Sequence, residues 1–237
     1  MPRSKGFGGT SEEKMKILFL ALFIAVSVVH LAASFVSNKK LRAITKGFIL
    51  LFLLLYYIFA AEAKNGVLIA AIATSWLGDV LLIPPGNGWF AAGGISFMIS
   101  HFCFIAVYIM EVDFSLVNPL LTVIAALVYI AIIALVFKAL KPTTPKKLYG
   151  AMIFYLCCNA AMNIFAFMLL LSNPCVPTAL TYIGAVFFFA SDSLLFLTKF
   201  YKKPMWRDHF PVMITYIIAE FLITQGIMML NNLPVGG

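Results

Sequence analysis

The sequence predicts an all-α fold, a polytopic transmembrane helical bundle of about eight spans. Of its 237 residues, 63% are hydrophobic and 11% charged, against the roughly 45–50% and about 25% of a soluble globular domain. Mean hydropathy is +1.02, which excludes a cytosolic globule. Eight apolar runs approach the about 20 residues that a helix needs to cross a ~30 Å hydrocarbon layer, and only short breaker-rich loops separate them. The whole chain, 1–237, therefore reads as a single integral membrane domain.

In chain order the spans are expected near 16–36, 42–61, 66–83, 91–110, 115–137, 148–171, 178–199 and 209–230. Lys14 and Lys16 before the first run, with Ala32-Ala33-Ser34 near its end, loosely imitate a cleavable signal peptide. The apolar stretch continues to Val36, so it reads as a retained span. The second run carries Arg42 and Lys46 in its first turns, cations expected to snorkel toward headgroups. Asn65-Gly66 starts the third run, and Pro84-Pro85-Gly86-Asn87-Gly88 divides it from the fourth. Asn118-Pro119, Pro142 to Pro145, Pro174 to Pro177 and Pro204 punctuate the rest.

Seventeen basic and nine acidic residues give a net charge of +8. The cations fall in short clusters between apolar runs and form no continuous stripe, so nucleic acid is not an expected partner. Alternating eight spans places Lys39, Lys40, Arg42, Lys46, Lys138, Lys141, Lys146, Lys147, Lys199, Lys202, Lys203 and Arg207 on one face. The positive-inside rule makes that face cytoplasmic and both termini non-cytoplasmic, although Arg3, Lys5, Lys14 and Lys16 before the first span argue for the reverse. Cys103, Cys157, Cys158 and Cys175 have neither zinc spacing nor disulfide density, and the first three lie inside apolar runs, where packing is their expected job.

Six acidic residues fall in tails, loops or span ends; Asp79, Asp192 and Glu220 fall inside spans. A central membrane carboxyl costs about 2.5–3.5 kcal/mol on insertion scales, so one that persists faces a bundle interior or a wet cavity. Asp79 lies five residues before Pro84 and Asp192 seven before Lys199, about 7 and 10 Å from the basic ends of their helices at ~1.5 Å per residue. Tyr155 and Tyr216 reach similar depth by the same count, with Asn159, His101 and Glu220 one to one and a half turns deeper. The topology thus allows a tier of two carboxyls and two phenols, floored by an amide, an imidazole and a third carboxyl.

Gly78-Asp79-Val80-Leu81-Leu82 resembles Ser191-Asp192-Ser193-Leu194-Leu195. A four-span offset keeps the two halves in one orientation, so a 4+4 parallel repeat would bring the aspartates together near a central axis. Gly78 and Ser191 have a simpler use as small residues that let helices approach. Gly88, Gly93 and Gly94 beside Trp89-Phe90 read as interfacial, and His30, without a partner by spacing, as a packing residue. No His-x-x-x-His, Cys/His cluster, Gly-x-Ser-x-Gly or phosphate loop occurs, so no metal site or cofactor is expected.

At these residues the chain resembles the YhhN-like lysoplasmalogenase family of eight-span membrane proteins. One block runs from Trp76 through Gly78, Asp79 and Leu82, then Gly88-Trp89-Phe90, Gly93, Phe97 and His101. The other runs from Gly184 through Ser191-Asp192-Ser193-Leu194 and Lys199-Phe200 to Thr215-Tyr216 and Glu220. The resemblance implies a hydrolase that cleaves the vinyl ether of lysoplasmalogens, releasing a fatty aldehyde and a glycerophospho-head group without a required metal. Many relatives carry Gln where this chain has Glu220.

Enol-ether hydrolysis needs an acid to protonate the β-carbon and a base or anion for the oxocarbenium ion and the water that captures it, a division of labour that paired carboxyls supply in glycoside hydrolysis. Asp79 and Asp192 are the expected acid/base pair, with Tyr155, Tyr216 and His101 orienting water or the departing oxygen and Asn159, Ser191 and Glu220 supporting them. The expected partner is a single-chain ether phospholipid whose phosphate meets Lys39, Lys141 or Lys202. Paired intramembrane carboxyls also describe a proton-coupled transporter of a small molecule or lipid. Carriers commonly break helices near the midplane, however, and no span here has a central Pro. A non-catalytic lipid-binding protein is the third reading.

Overall fold

The computed structural model describes residues 9–201 and 209–232. Eight α-helices follow one another: α1 (Gly9–Phe35), α2 (Lys39–Ala60), α3 (Gly66–Leu81), α4 (Asn87–Glu111), α5 (Pro119–Leu140), α6 (Tyr149–Ser172), α7 (Val176–Phe200) and α8 (Phe210–Asn231). No strand occurs among the described residues. Among the described residues, seven helices are long and apolar enough to cross a membrane. The chain folds as a polytopic helical bundle.

Asn38, Asn65 and Asn118 cap α2, α3 and α5, each accepting backbone N–H groups of the first turn through its side-chain oxygen. The Asn118 cap, with Pro119 behind it, starts the fifth helix four residues later than the hydropathy pattern predicts. The residues before that cap turn instead: Asp113 accepts the backbone N–H and hydroxyl of Ser115 at 2.9 and 2.6 Å. Those bonds hold the exposed Asp113 carboxyl below the usual carboxylate range.

α3 is the short element. Its 16 residues span about 24 Å, less than a hydrocarbon core, and it ends at Leu81 where the sequence predicted 83. Pro84 and Pro85 stop it, and Gly86 reverses the chain at φ +135, a backbone conformation that L side chains rarely adopt. α4 then begins at Asn87, four residues earlier than expected, and takes Gly88, Trp89 and Phe90 into its first turn.

The helices pack most extensively as α1 with α2, α3 with α4, and α7 with α8, while α6 bridges α4 and α7. α5 lies at the periphery, mainly against α6, and exposes Leu120, Val123, Leu127, Val128 and Ile130. Small residues close two of these pairs. A Cβ on Gly78 would meet the Phe97 ring at 2.8 Å, and one on Gly93 would meet Leu82 at 2.8 Å. A Cβ on Gly184 would meet the Ala219 carbonyl at 2.9 Å, and one on Gly226 the Pro177 carbonyl at 2.6 Å. Ser191 adds a donor across the second pair, from its Oγ to the Val212 carbonyl at 2.9 Å.

Phe188 on α7 sits at the centre. Its ring centroid lies 5.0 Å from His101, 5.5 Å from Tyr216, 6.2 Å from Phe104 and 6.4 Å from Phe97. These edge-to-face contacts join α4, α7 and α8 beneath the layer that holds the carboxyls. Cys158 is buried, but Cys157 faces outward, so packing in the bundle is not its role.

Candidate functional site

A cavity of about 460 Å³ opens from the basic end of the bundle among α1, α2, α3, α4, α7 and α8. Asp79 and Asp192 both line it, 1% and 3% exposed, so two helices distant in sequence contribute one carboxyl each to one hollow. Lys39, Arg42 and Lys199 line it as well. Lys199 also lies over the Phe90 ring, 5.0 Å from its centroid, a cation–π contact that holds the ammonium beside the cavity.

The two aspartates are held differently. Asp79 faces Lys46 on α2, whose Nζ lies 3.3 Å from Oδ1, while Oδ2 has no hydrogen-bond partner. Trp76, one turn earlier on α3, donates its indole N–H to the Gly47 carbonyl at 2.8 Å and so fixes α2 in register beside Asp79. The sequence predicted a snorkelling Lys46. Instead the carboxylate draws the ammonium inward, and only 17% of its side chain stays exposed.

Asp192 accepts from two uncharged donors on α6. Its Oδ2 accepts the Tyr155 hydroxyl at 2.7 Å and the Asn159 amide at 2.6 Å, and His101 Nε2 lies 3.4 Å away. Behind Asn159 the bonds continue with one polarity. Asn163 donates to Asn159 Oδ1 at 3.0 Å, and Tyr129 donates to Asn163 Oδ1 at 2.9 Å. Every proton in that series points toward Asp192.

Tyr216 lines the cavity, and its hydroxyl lies beside the Asp79 and Glu220 carboxyls without closing a hydrogen bond. Glu220 is fully buried behind it, near Ser75, and both its oxygens lack a partner. Ser75 itself bonds Ser100 at 2.7 Å, tying α3 to α4 at this depth.

Of the residues singled out from the sequence, Asp79, Asp192, Tyr216 and Ser191 line the cavity. Tyr155, Asn159 and His101 stand behind Asp192 and bond or face its carboxylate, so they position that group and do not themselves face the hollow. Of the expected phosphate contacts, Lys39 lines the cavity, Lys141 is not among the described lining residues, and Lys202 lies outside the described residues. Phe90 and Gly86 border the cavity, whereas a Cβ on Gly88 or Gly94 would meet nothing within 4 Å. His30, expected to pack, lines the cavity and bonds Thr45 at 2.8 Å through Nδ1.

Sequence reasoning missed Lys46, Thr45, Asn163 and Tyr129. Lys46 lies seven residues after Lys39, about 10 Å from the basic end, so the depth count that found the aspartates also finds it. Among the described residues no group of three His, Cys, Asp or Glu side chains could hold a metal ion.

The fold and this cavity define a multi-pass helical membrane protein with two unlike aspartates inside a hollow rimmed by cations. The model of the YhhN family matches residues 41–227, and the chain belongs to that family. No curated protein and no solved structure matches it.

Proposed function

We propose that this protein is a membrane hydrolase that cleaves the vinyl ether of a lysoplasmalogen, a single-chain ether phospholipid, to a fatty aldehyde and a glycerophospho-head group. One observation carries the reading: Asp79 and Asp192 line the same cavity in unlike environments. Paired carboxyls in unlike surroundings are how one site supplies both an acid and a base.

In this reading one aspartate of the pair delivers a proton to the β-carbon, and the Lys46 ammonium 3.3 Å from Asp79 Oδ1 holds that side chain in place. The other, with Tyr155 and Asn159 holding Asp192 in place, stabilises the oxocarbenium ion and takes a proton from the attacking water. The hemiacetal then collapses, releasing the glycerol hydroxyl and leaving the aldehyde. Tyr216, the phenol that lines the cavity, orients the water or the departing oxygen. Lys39, Arg42 and Lys199 receive the phosphate at the rim, and the basic end faces the cytoplasm. The cavity volume lies within the about 300–1,000 Å³ of small-molecule sites.

The test is aldehyde release from lysoplasmenylethanolamine by the purified protein and by Asp79→Asn and Asp192→Asn variants. General acid–base catalysis contributes about 10²–10⁴-fold, so each variant loses at least about 100-fold. A near wild-type rate in either removes that aspartate from the mechanism. Substrate counterflow in proteoliposomes without aldehyde would make the protein a carrier.

A further inference from the structure

His30 is 1% exposed, lines the cavity, and lies before the residues 41–227 that the family model matches. Its hydrogen bonding fixes its tautomer. Thr45 Oγ1 lies 2.7 Å from the Leu41 carbonyl and 3.3 Å from that of Arg42. A hydroxyl has one proton, and here a backbone carbonyl of α2 takes it. Thr45 can therefore only accept from the imidazole, and the proton between them, across 2.8 Å, belongs to His30 Nδ1. Nε2 is buried and has no partner in the protein. The neutral imidazole thus offers a lone pair at Nε2 in a residue bordering the cavity, on the side of the Lys39, Arg42 and Lys46 cations.

A ligand group that satisfies Nε2 must itself bring a proton. A buried acceptor left unmet costs the desolvation of that group, whereas a hydroxyl in place recovers it. In a single-chain glycerolipid the free hydroxyl stands on the carbon between the ether carbon and the phosphate-bearing carbon. That places it between the aspartates, which would hold the ether, and the cationic rim, which would hold the phosphate. A lipid acylated or alkylated at that oxygen has no proton to offer.

We propose that His30 is a specificity-determining residue that reads the free hydroxyl of a single-chain glycerophospholipid by accepting its hydrogen bond at Nε2, with Thr45 holding the ring in the accepting tautomer. The assignment rests on the lysoplasmalogen reading for its ligand class, but its test reads binding, not turnover. The probes are a saturated 1-O-alkyl lysophosphatidylethanolamine, which has no vinyl ether to hydrolyse, and its 2-deoxy and 2-O-methyl analogues. They are titrated into the purified full-length protein in nanodiscs. Wild type should bind the hydroxyl-bearing lipid about tenfold or more tightly than either analogue. His30→Phe keeps a ring but no acceptor and should bring the three lipids within about twofold of one another. His30→Gln, whose amide oxygen reaches toward the Nε2 position, should restore part of the preference. Thr45→Val should weaken it by releasing the ring.

Wild type with no hydroxyl preference, or with no binding of any of the three lipids, overturns the proposal, as does His30→Phe that keeps the preference. Should His30→Phe fail to fold, an undiminished preference in Thr45→Val overturns it equally. A wild type that prefers the hydroxyl but releases no aldehyde from lysoplasmenylethanolamine refutes the hydrolase reading and leaves the role of His30 standing.

Discussion

Lys46 on α2 and Asp79 on α3 form an ion pair at 3.3 Å inside the bundle, with Asp79 almost wholly withdrawn from solvent. A charge pair in that setting is costly to break from one side, because the survivor is left without compensation, and removal of one partner of a buried pair costs about 3–5 kcal/mol.

Lys46→Met and Asp79→Asn should therefore be coupled. Each lowers the thermal transition of the purified protein, and the double variant loses less than the two single losses added together, with a coupling of about 1–3 kcal/mol. Denaturation of the four proteins in one detergent measures this. Strict additivity would mean that the pair contributes nothing.

Tyr155→Phe removes one donor from Asp192 Oδ2 and leaves Asn159 in place. The Tyr155 ring packs edge to face on His101 and Phe196 at 5.4 Å each, and Phe keeps both contacts. Stability should fall by about 1–3 kcal/mol, and aldehyde release by about tenfold, the kinetic equivalent of about 1.4 kcal/mol. Steady-state rates with an unchanged KM would place the loss in the chemical step. A rate equal to wild type would show that Asn159 alone suffices to hold the carboxylate.

Asn163→Leu interrupts the series behind Asp192 at its middle. It strands the Tyr129 hydroxyl and the Asn159 amide oxygen, both buried. Each stranded group costs about 1–3 kcal/mol, so this variant should melt well below Tyr129→Phe, which strands only one acceptor. The reverse order in a thermal denaturation series would contradict the hydrogen-bond directions described above.

Glycine variants separate close helix contact from mere helix propensity. Gly226→Ala directs a methyl group at the Pro177 carbonyl and Thr181 amide, backbone atoms that cannot step aside, while a Cβ on Gly94 meets nothing within 4 Å. Overpacking costs about 1–3 kcal/mol. Gly226→Ala should thus destabilise, and Gly94→Ala should stay at or slightly above wild type, since Ala suits a helix better than Gly by up to about 1 kcal/mol. Equal melting temperatures for the two would show that α7 and α8 can part without cost.

The bundle was legible in the sequence because hydrocarbon thickness sets a length that composition must meet, and seven helices meet it. α3 departs from that rule: Pro84 and Pro85 cut it short, and the apolar Leu82 and Ile83 between the helix end and the prolines kept the hydropathy signal high. The aspartates were legible for the complementary reason, that a carboxyl within an apolar run has few places to go, and depth counting alone brought Asp79, Asp192 and Tyr216 to one level. Lys46 was misread because a cation near a span end ordinarily reaches outward, and only a partner on another helix reverses that choice. Asn163 and Tyr129 are ordinary span residues until α5 and α6 are seen side by side. Which of two phenols faces a hollow and which faces a neighbouring carboxylate depends on helix rotation, which residue counting does not fix.

The peripheral position of α5 ties Asp192 to the surrounding solvent phase. α5 meets the other helices along a narrow strip and turns most of its side chains to hydrocarbon, yet its Tyr129 begins the series of donors that ends on Asp192. A detergent that wets this helix better than its neighbours do would peel it away first and take the outermost donor with it. The choice of extraction medium thereby becomes a variable of the site itself, and annular lipid a remote support of a carboxylate it never touches.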